Sequence, residues 1–141
     1  MKRSKLRFET KIAVVLRADV PIWQRLNMTA FLCSGIASTV DGIIGEPYQD
    51  ASEQLYLPMF RQPVLIFRAT PEELRRAYER ARSRGLELAI FTDDLFATNH
   101  DEANRAAVRA VASADLRLAG LALHADRKAV DAVVKGLTLH E

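Results

Sequence analysis

Apolar residues in this chain gather into short continuous runs, separated by longer stretches in which they recur at helical spacing. Ile12-Ala13-Val14-Val15-Leu16, Val64-Leu65-Ile66-Phe67 and Leu88-Ala89-Ile90-Phe91 are the clearest runs. Runs without alternation fit strands buried on both faces, and such strands belong to sheets covered by helices. After the first run, Asp19 and Pro21 open a helix predicted from about Ile22 to Ala37. Ile22, Leu26, Ala30 (or Thr29), Cys33 and Ile36 share one of its faces, and Trp23, Asn27, Phe31 and Ser34 share an adjacent one. One sheet contact needs less apolar surface than that, so a second contact is expected, a dimer partner being the natural choice.

The stretch from Val64 to Phe91 has the clearest punctuation. Thr70 suits a helix N-cap, Pro71 its first position, and Glu73 completes a capping box. Leu74, Ala77, Tyr78 and Ala81 form the apolar stripe, and Gly85 stands where a left-handed C-terminal residue is wanted. Strand, capped helix and strand make a βαβ unit, predicted to have parallel strands and a right-handed crossover. Thr92-Asp93-Asp94 closes the second of these strands. Asn99 and Glu102 have capping-box spacing for a helix to about Ala112. Leu116 to Leu123 reads as a strand in which Gly120 marks a bulge or a close approach. Asp126 caps a short helix through Val134, Gly136 ends it, and Leu137-Thr138-Leu139 adds a terminal strand. Between Val40 and Gln62, short strands are expected around Ile43–Tyr48 and Leu55–Leu57, turning near Asp50–Glu53. The order predicts one α/β domain, a three-layer α/β/α sandwich on a mixed, mostly parallel sheet of four to five strands.

Composition changes this picture little. With 141 residues, 49% hydrophobic and 27% charged, the chain has the make-up of a single globular domain able to bury its own core. A net charge of +2 neither demands nor excludes a polyanionic partner. Lys2, Arg3, Lys5 and Arg7 precede the first acid, Glu9, so residues 1–10 read as a flexible basic tail, with a phosphate-contacting arm as the functional alternative. The single cysteine, Cys33, excludes an intrachain disulfide and suits a reducing compartment. No apolar run approaches the ~20 residues needed to span a bilayer, and Glu9 and Lys11 interrupt any secretory core. Cytoplasmic residence without membrane contact is the expectation.

Several segments resemble the type-2 peptidyl-tRNA hydrolases. Lys11 to Val20 resembles their opening strand, which an Arg-x-Asp-Leu follows. Pro63 to Leu86, with Thr-Pro-Glu-Glu-Leu and Ala-Arg-Ser-Arg-Gly-Leu, resembles their central βαβ unit. Asp126 to Leu139, ending Val-Lys-Gly-Leu-Thr-Leu, resembles their C-terminal helix and last strand. A closer resemblance is to an uncharacterised bacterial family with that fold, the domain of unknown function numbered two thousand. Its Asp-x-Pro-x-x-x-x-x-Asn run corresponds to Asp19, Pro21 and Asn27, and its Phe-Thr-Asp-Asp run to Phe91 through Asp94. The resemblance implies the hydrolase-like fold. It does not carry the hydrolase activity across. In the hydrolases a Gly-Lys-x-Ala-x-Gln run follows the first strand; here the lysine falls on Leu26 and the glutamine on Ala30. Arg25 is one residue off, about 100° around a helix. Their Asp-Ala-Gly-x-Thr run is matched by Asp93, but Leu95 replaces the glycine and Thr98 comes one residue late.

Ligands of open α/β sheets sit beyond the carboxyl ends of parallel strands. Asp19 follows the first strand, Asp93 and Asp94 the third, and Asn27, Thr98 and His100 could reach the same edge. Asp93, Asp19, Asn27 and Thr98 are therefore the candidate catalytic residues, with Asp93 the proton acceptor. Asp19 and Asp94 equally suit turns or helix caps. No His or Asp stands at a recognised metal-ligand spacing and no glycine-rich phosphate loop occurs, so neither metal nor cofactor is expected. Cys33, on an apolar face and without a histidine near in sequence, reads as a small hydrophobe. Arg75, Arg76, Arg80, Arg82 and Arg84 could meet phosphates, but the interleaved Glu72, Glu73, Glu79 and Glu87 favour a solvated, salt-bridged face. Three readings follow: a divergent hydrolase lacking the usual lysine and glutamine; a non-catalytic binding module for tRNA, a nucleotide or a small metabolite; and a structural homodimer.

Overall fold

A computed structural model describes residues 8–141, so the basic run from Lys2 to Arg7 lies outside the described residues. In chain order the elements are β1 (Thr10–Arg17), α1 (Ile22–Thr39), β2 (Tyr48–Gln49), β3 (Leu55–Tyr56), β4 (Val64–Ala69), α2 (Pro71–Ser83), β5 (Ala89–Thr92), α3 (Asp101–Arg109), β6 (Leu118–Asp126), α4 (Arg127–Val133) and β7 (Thr138–Leu139). A 3-10 helix, Asp93–Ala97, links β5 to α3.

The first apolar run forms the centre of a five-stranded sheet ordered β5-β6-β1-β4-β7. β1 lies parallel to β4, with Ile12 opposite Val64, and antiparallel to β6, with Leu16 opposite Gly120. Its side chains alternate between two cores. Ala13 and Val15 join Leu74, Ala77 and Tyr78 of α2 and Val130 and Val133 of α4. Ile12, Val14 and Leu16 join Met28, Leu32 and Ile36 of α1. Each fully buried Val, Leu or Ile contributes about 1.5–3 kcal/mol relative to exposure, so a strand buried on both sides anchors both cores.

The chain is thus α/β with a mixed sheet and four α-helices among the described residues. The expectation of a mostly parallel sheet needs correcting. β1, β4 and β5 share a direction, but among the described residues β1–β4 is the only parallel neighbour pair. β4 and β5, the strands of the presumed βαβ unit, are separated by β1 and β6. The reason lies in β6: Leu118 through Leu123 are all buried, so this strand also claims a central place. A second correction concerns α1. Its inward stripe is Met28, Leu32 and Ile36, whereas Ile22 and Leu26 face solvent. The helix comes down where the sheet lacks side-chain bulk. A Cβ on Gly120 would lie 2.8 Å from Met28 Sδ and 3.1 Å from the Val15 carbonyl oxygen. Gly120 therefore serves as the close-approach residue and also borders the bulge: Phe91 pairs with Gly120 and Thr92 with Leu118, which leaves Ala119 as the extra residue on β6.

The capping box of α2 is complete. Thr70 Oγ1 accepts from the Glu73 backbone N–H at 3.1 Å, and Glu73 Oε1 accepts from the Thr70 N–H at 2.9 Å. Gly85 follows the helix with φ +69°. α3 is capped by His100, not Asn99: His100 Nδ1 accepts from the Ala103 N–H at 3.2 Å. Asp126 stands at the N-cap of α4 without a side-chain capping bond, since it still belongs to β6 and pairs with Thr10. The arginines of α2 do more than decorate a wet face. Arg75 donates to the carbonyls of Ser113, Ala114 and Leu116, and Arg80 to that of Lys135 just past α4. Only Arg75–Glu79, at 3.5 Å, forms an ion pair along α2. Part of the segment read as a tail is held as well, since Arg127 donates to Phe8 O and its backbone N–H to Glu9 O.

Three substitutions test these contacts. Gly120→Ala is expected to lower unfolding stability by about 1–3 kcal/mol through overpacking, measured by urea titration. At α2, Thr70→Ala is expected to cost about 1 kcal/mol. Hydrogen bonding from Thr70 holds the Glu73 carboxyl below its usual range. The folded state then binds fewer protons there than the unfolded state, so the contribution is present above the unfolded pKa and lost as pH falls through the folded one. Glu73→Gln should therefore differ from wild type at neutral pH and converge with it in acid, as followed by melts at descending pH.

Candidate functional site

The candidate residues fall into two adjoining groups at the carboxyl ends of β1 and β5. The first is organised by Arg17, the last residue of β1. Its Nη1 donates to the Leu118 carbonyl at the start of β6 (2.7 Å). Its Nε donates to Asp19 Oδ1 (2.5 Å), and its Nη2 reaches Asp93 Oδ1 at 2.9 Å. Asp19 and Asp93, placed at one rim from the sequence, thus meet on a shared guanidinium. Burial works against the charge on Arg17, but hydrogen bonding and Coulombic attraction from Asp19 and Asp93 outweigh it and hold the group above its usual pKa. Asp94 turns to another cation, Arg117 Nη2, at 2.5 Å. Neither Asp93 nor Asp94 caps a helix through its side chain.

The second group lines a cleft of about 450 Å³ between α1 and the segment joining β5 to α3. Asn27, Thr98 and His100 are all in its wall. Asp93 starts the 3-10 helix on the Arg17 side, and Leu95 and Phe96 of the same turn enter the cleft, so the two groups are continuous along the backbone. Aromatic rings supply much of the wall. Phe91 stands edge-on to Phe31 (centroids 6.0 Å apart) and tilted against Phe96 (4.9 Å). Trp23 and Phe31 remain more than half exposed. Thr98 Oγ1 is hydrogen-bonded to Leu95 O at 3.0 Å and also contacts Asn104 Oδ1. His100 Nδ1 is committed to capping α3. Chemically, the cleft offers flat apolar faces with amide and hydroxyl edges, whereas the rim offers carboxylates already neutralised by arginine.

Two further residues matter for what is absent. Leu26 and Ala30, where the hydrolases have lysine and glutamine, are exposed on α1. Arg25, one residue away, does not substitute: its Nη1 is 2.7 Å from His140 Nε2, beyond β7. Burial pushes the Cys33 thiol above its usual value, which disfavours the thiolate. Among the described residues, no three His, Cys, Asp or Glu side chains gather as a metal ion would need, and no helix is long and apolar enough to cross a membrane.

Sequence reasoning passed over Arg17 as a site residue and missed the aromatic wall. The Arg-x-Asp spacing held a signal for the first. The i, i+4, i+8 spacing of Trp23, Asn27 and Phe31 put the α1 side of the second on one helix face, but nothing in the spacing tied Phe91 and Phe96 to it. The Arg17 network yields a ranked prediction. Arg17 is the most buried member, so Arg17→Met should cost about 1–3 kcal/mol by stranding its partners. Asp93→Ala should cost less. Asp19→Ala, at 62% side-chain exposure, should change stability least, by at most about 1 kcal/mol. Thermal melts of the three variants and of the Arg17–Asp93 double mutant check the order.

Comparison with known proteins places the chain. No curated protein matches it. A solved structure of a protein of unknown function from Agrobacterium tumefaciens strain C58 is 42% identical, covers 96% of this chain and 100% of its own, and superposes with a TM-score of 0.93. The family described as Protein of unknown function (DUF2000) matches residues 10–141, from the first residue of β1 to the last residue of the chain, so the Arg17 rim and the aromatic cleft both fall inside it. This chain belongs to that family of proteins of unknown function, DUF2000.

Proposed function

We propose that the protein is a non-catalytic binding module for a ligand carrying a flat unsaturated ring, a nucleotide base being the best fit, on a three-layer fold of the type-2 peptidyl-tRNA hydrolase kind. The observation that carries this reading is the cleft wall: Trp23, Phe31, Phe91 and Phe96 beside Asn27, Thr98 and Asn104. Its volume of about 450 Å³ is of small-molecule size. Aromatic faces stack on any base, and amide edges read its polar rim. The hydrolase-like fold is supported by helices against both sheet faces and by the order of the matching segments. Loss of hydrolysis is supported by exposed Leu26 and Ala30 and by Arg25 turning to His140. A lone thiol suits the cytoplasm.

Trp23 is the chain's only tryptophan, so its emission reports the cleft directly. Titration with ribonucleoside monophosphates should quench it saturably. Phe31→Ala should weaken binding by roughly five- to a hundredfold, the worth of one stacking contact. An unchanged emission with every common nucleotide and with tRNA at low salt would reject the reading.

One observation favours a second reading, a divergent hydrolase: Asp19 and Asp93 meet at Arg17 beyond the carboxyl end of β1. Asp93 would then accept the proton of an attacking water. Release of the peptide from peptidyl-tRNA, lost in Asp93→Asn, would support it. No ester cleavage by the wild type would remove it.

A further inference from the structure

The chain from Ile43 to Arg61 forms a ribbon whose base is built into the core. Ile43 is buried, Ile44 bridges to Phe60, and the Gly45 N–H donates to Met59 O at 2.9 Å. The base sits where β1 and β4 begin, with Gln62 Nε2 donating to Thr10 O. The outer half differs. Among the described residues, β2 and β3 pack substantially only on each other. It is nonetheless well braced. Asp50 Oδ1 accepts from the Ser52 and Gln54 N–H groups, and Asp50 Oδ2 accepts from the Tyr56 hydroxyl at 2.8 Å. A bare two-stranded hairpin is marginal in water. This one presents Tyr48, Leu55, Tyr56, Leu57 and Met59 to solvent, Leu57 at 84% exposure.

The outer face of α1 is a second bare apolar surface, formed by Ile22, Trp23 and Leu26, each about two-thirds exposed. Neither surface carries much charge. Arg25 is the one charged residue of α1, and it is taken by His140. From Tyr48 to Met59 only Asp50 and Glu53 are charged, and Asp50 is taken by the turn. Low charge is the composition of a homodimer core. At roughly 200 Å² per large side chain, the two surfaces together expose on the order of 1,000 Å² of apolar area. That matches the ~800 Å² each partner buries in a stable complex.

The two surfaces are set at opposite ends of the sheet: α1 begins beyond the carboxyl end of β1, and the ribbon's base lies at the amino end. We infer that two copies of this chain pair about a two-fold axis, each laying the outer half of its Ile43–Arg61 ribbon on the outer face of the other's α1. A two-fold that reverses strand direction brings opposite ends together, so both contacts form at once and the assembly closes. Trp23 borders both this face and the cleft; the inference rests on Ile22 and Leu26 and does not depend on what the cleft binds.

Sedimentation velocity over a concentration series tests it on the full chain. A dimer is expected. Leu57→Glu on the ribbon and Leu26→Glu on α1 should each raise the dissociation constant roughly tenfold or more, with far-UV circular dichroism unchanged because both residues are exposed. Mixing the two variants should restore part of the association, since a mixed pair keeps one intact ribbon-on-helix contact. Monomer at every concentration would overturn the inference, as would a dimer indifferent to both substitutions or a mixture no tighter than either variant alone. A monomer that pellets with phosphatidylcholine–phosphatidylglycerol vesicles through Leu57 would also overturn it, by making a lipid surface the occupant.

Discussion

The guanidinium of Arg17 holds together the edge of the sheet on which the candidate site is built. It ends the central strand and reaches the first carbonyl of β6, the acid after β5 and the acid two residues along its own chain. β1 and β5 are not sheet neighbours, so this hub ties the end of β1 directly to the turn after β5, while Arg117–Asp94 ties that turn to the start of β6. A planar donor fork suits the task, because it can satisfy a carbonyl and two carboxylates at once while keeping its charge. The arrangement also sets the character of the rim. Acids that would repel one another are held together by a cation between them, which fixes their geometry.

The same device recurs at the periphery. Arg75, Arg80 and Arg127 each donate to backbone carbonyls on segments distant in sequence: the loop before β6, the end of α4 and the lead into β1. Carbonyls at helix ends and in loops lack partners unless side chains or water supply them. Arginine reaches them with a long apolar stem that packs along the way. Arg75 and Arg82, for example, also flank the Tyr78 ring at 5.1 and 5.6 Å. Arg75 and Arg80 of this arginine-rich helix are thus occupied in fastening the fold.

Membership of DUF2000 and the near-complete superposition on the Agrobacterium protein extend the fold to a relative that is itself of unknown function. Neutralised carboxylates sit beside a cleft walled by aromatic rings, and the positions that would make a hydrolase of the resembling kind are occupied by Leu26 and Ala30 on a solvent-facing surface. The lower half of the ribbon belongs to the core and its upper half does not.

Local chemistry in the sequence determined a good deal of this molecule. Strands β1, β4 and β5, the capping box at Thr70 and Glu73, the left-handed Gly85 and the turn after Asp50 all follow from neighbours within a few residues. The meeting of Asp19 and Asp93 was also legible, because acids after parallel strands share an edge wherever those strands stand in the sheet. Strand order, the inward face of α1, His100 as the cap of α3 and the aromatic cleft were decided only in three dimensions. Each depends on which buried surface fills a limited space: β6 takes the place beside β1 because it is apolar on both faces, and Met28 turns inward because Gly120 leaves room for it. Periodicity records that a residue is apolar, but the packing partner that selects its direction lies up to a hundred residues away and leaves no local trace.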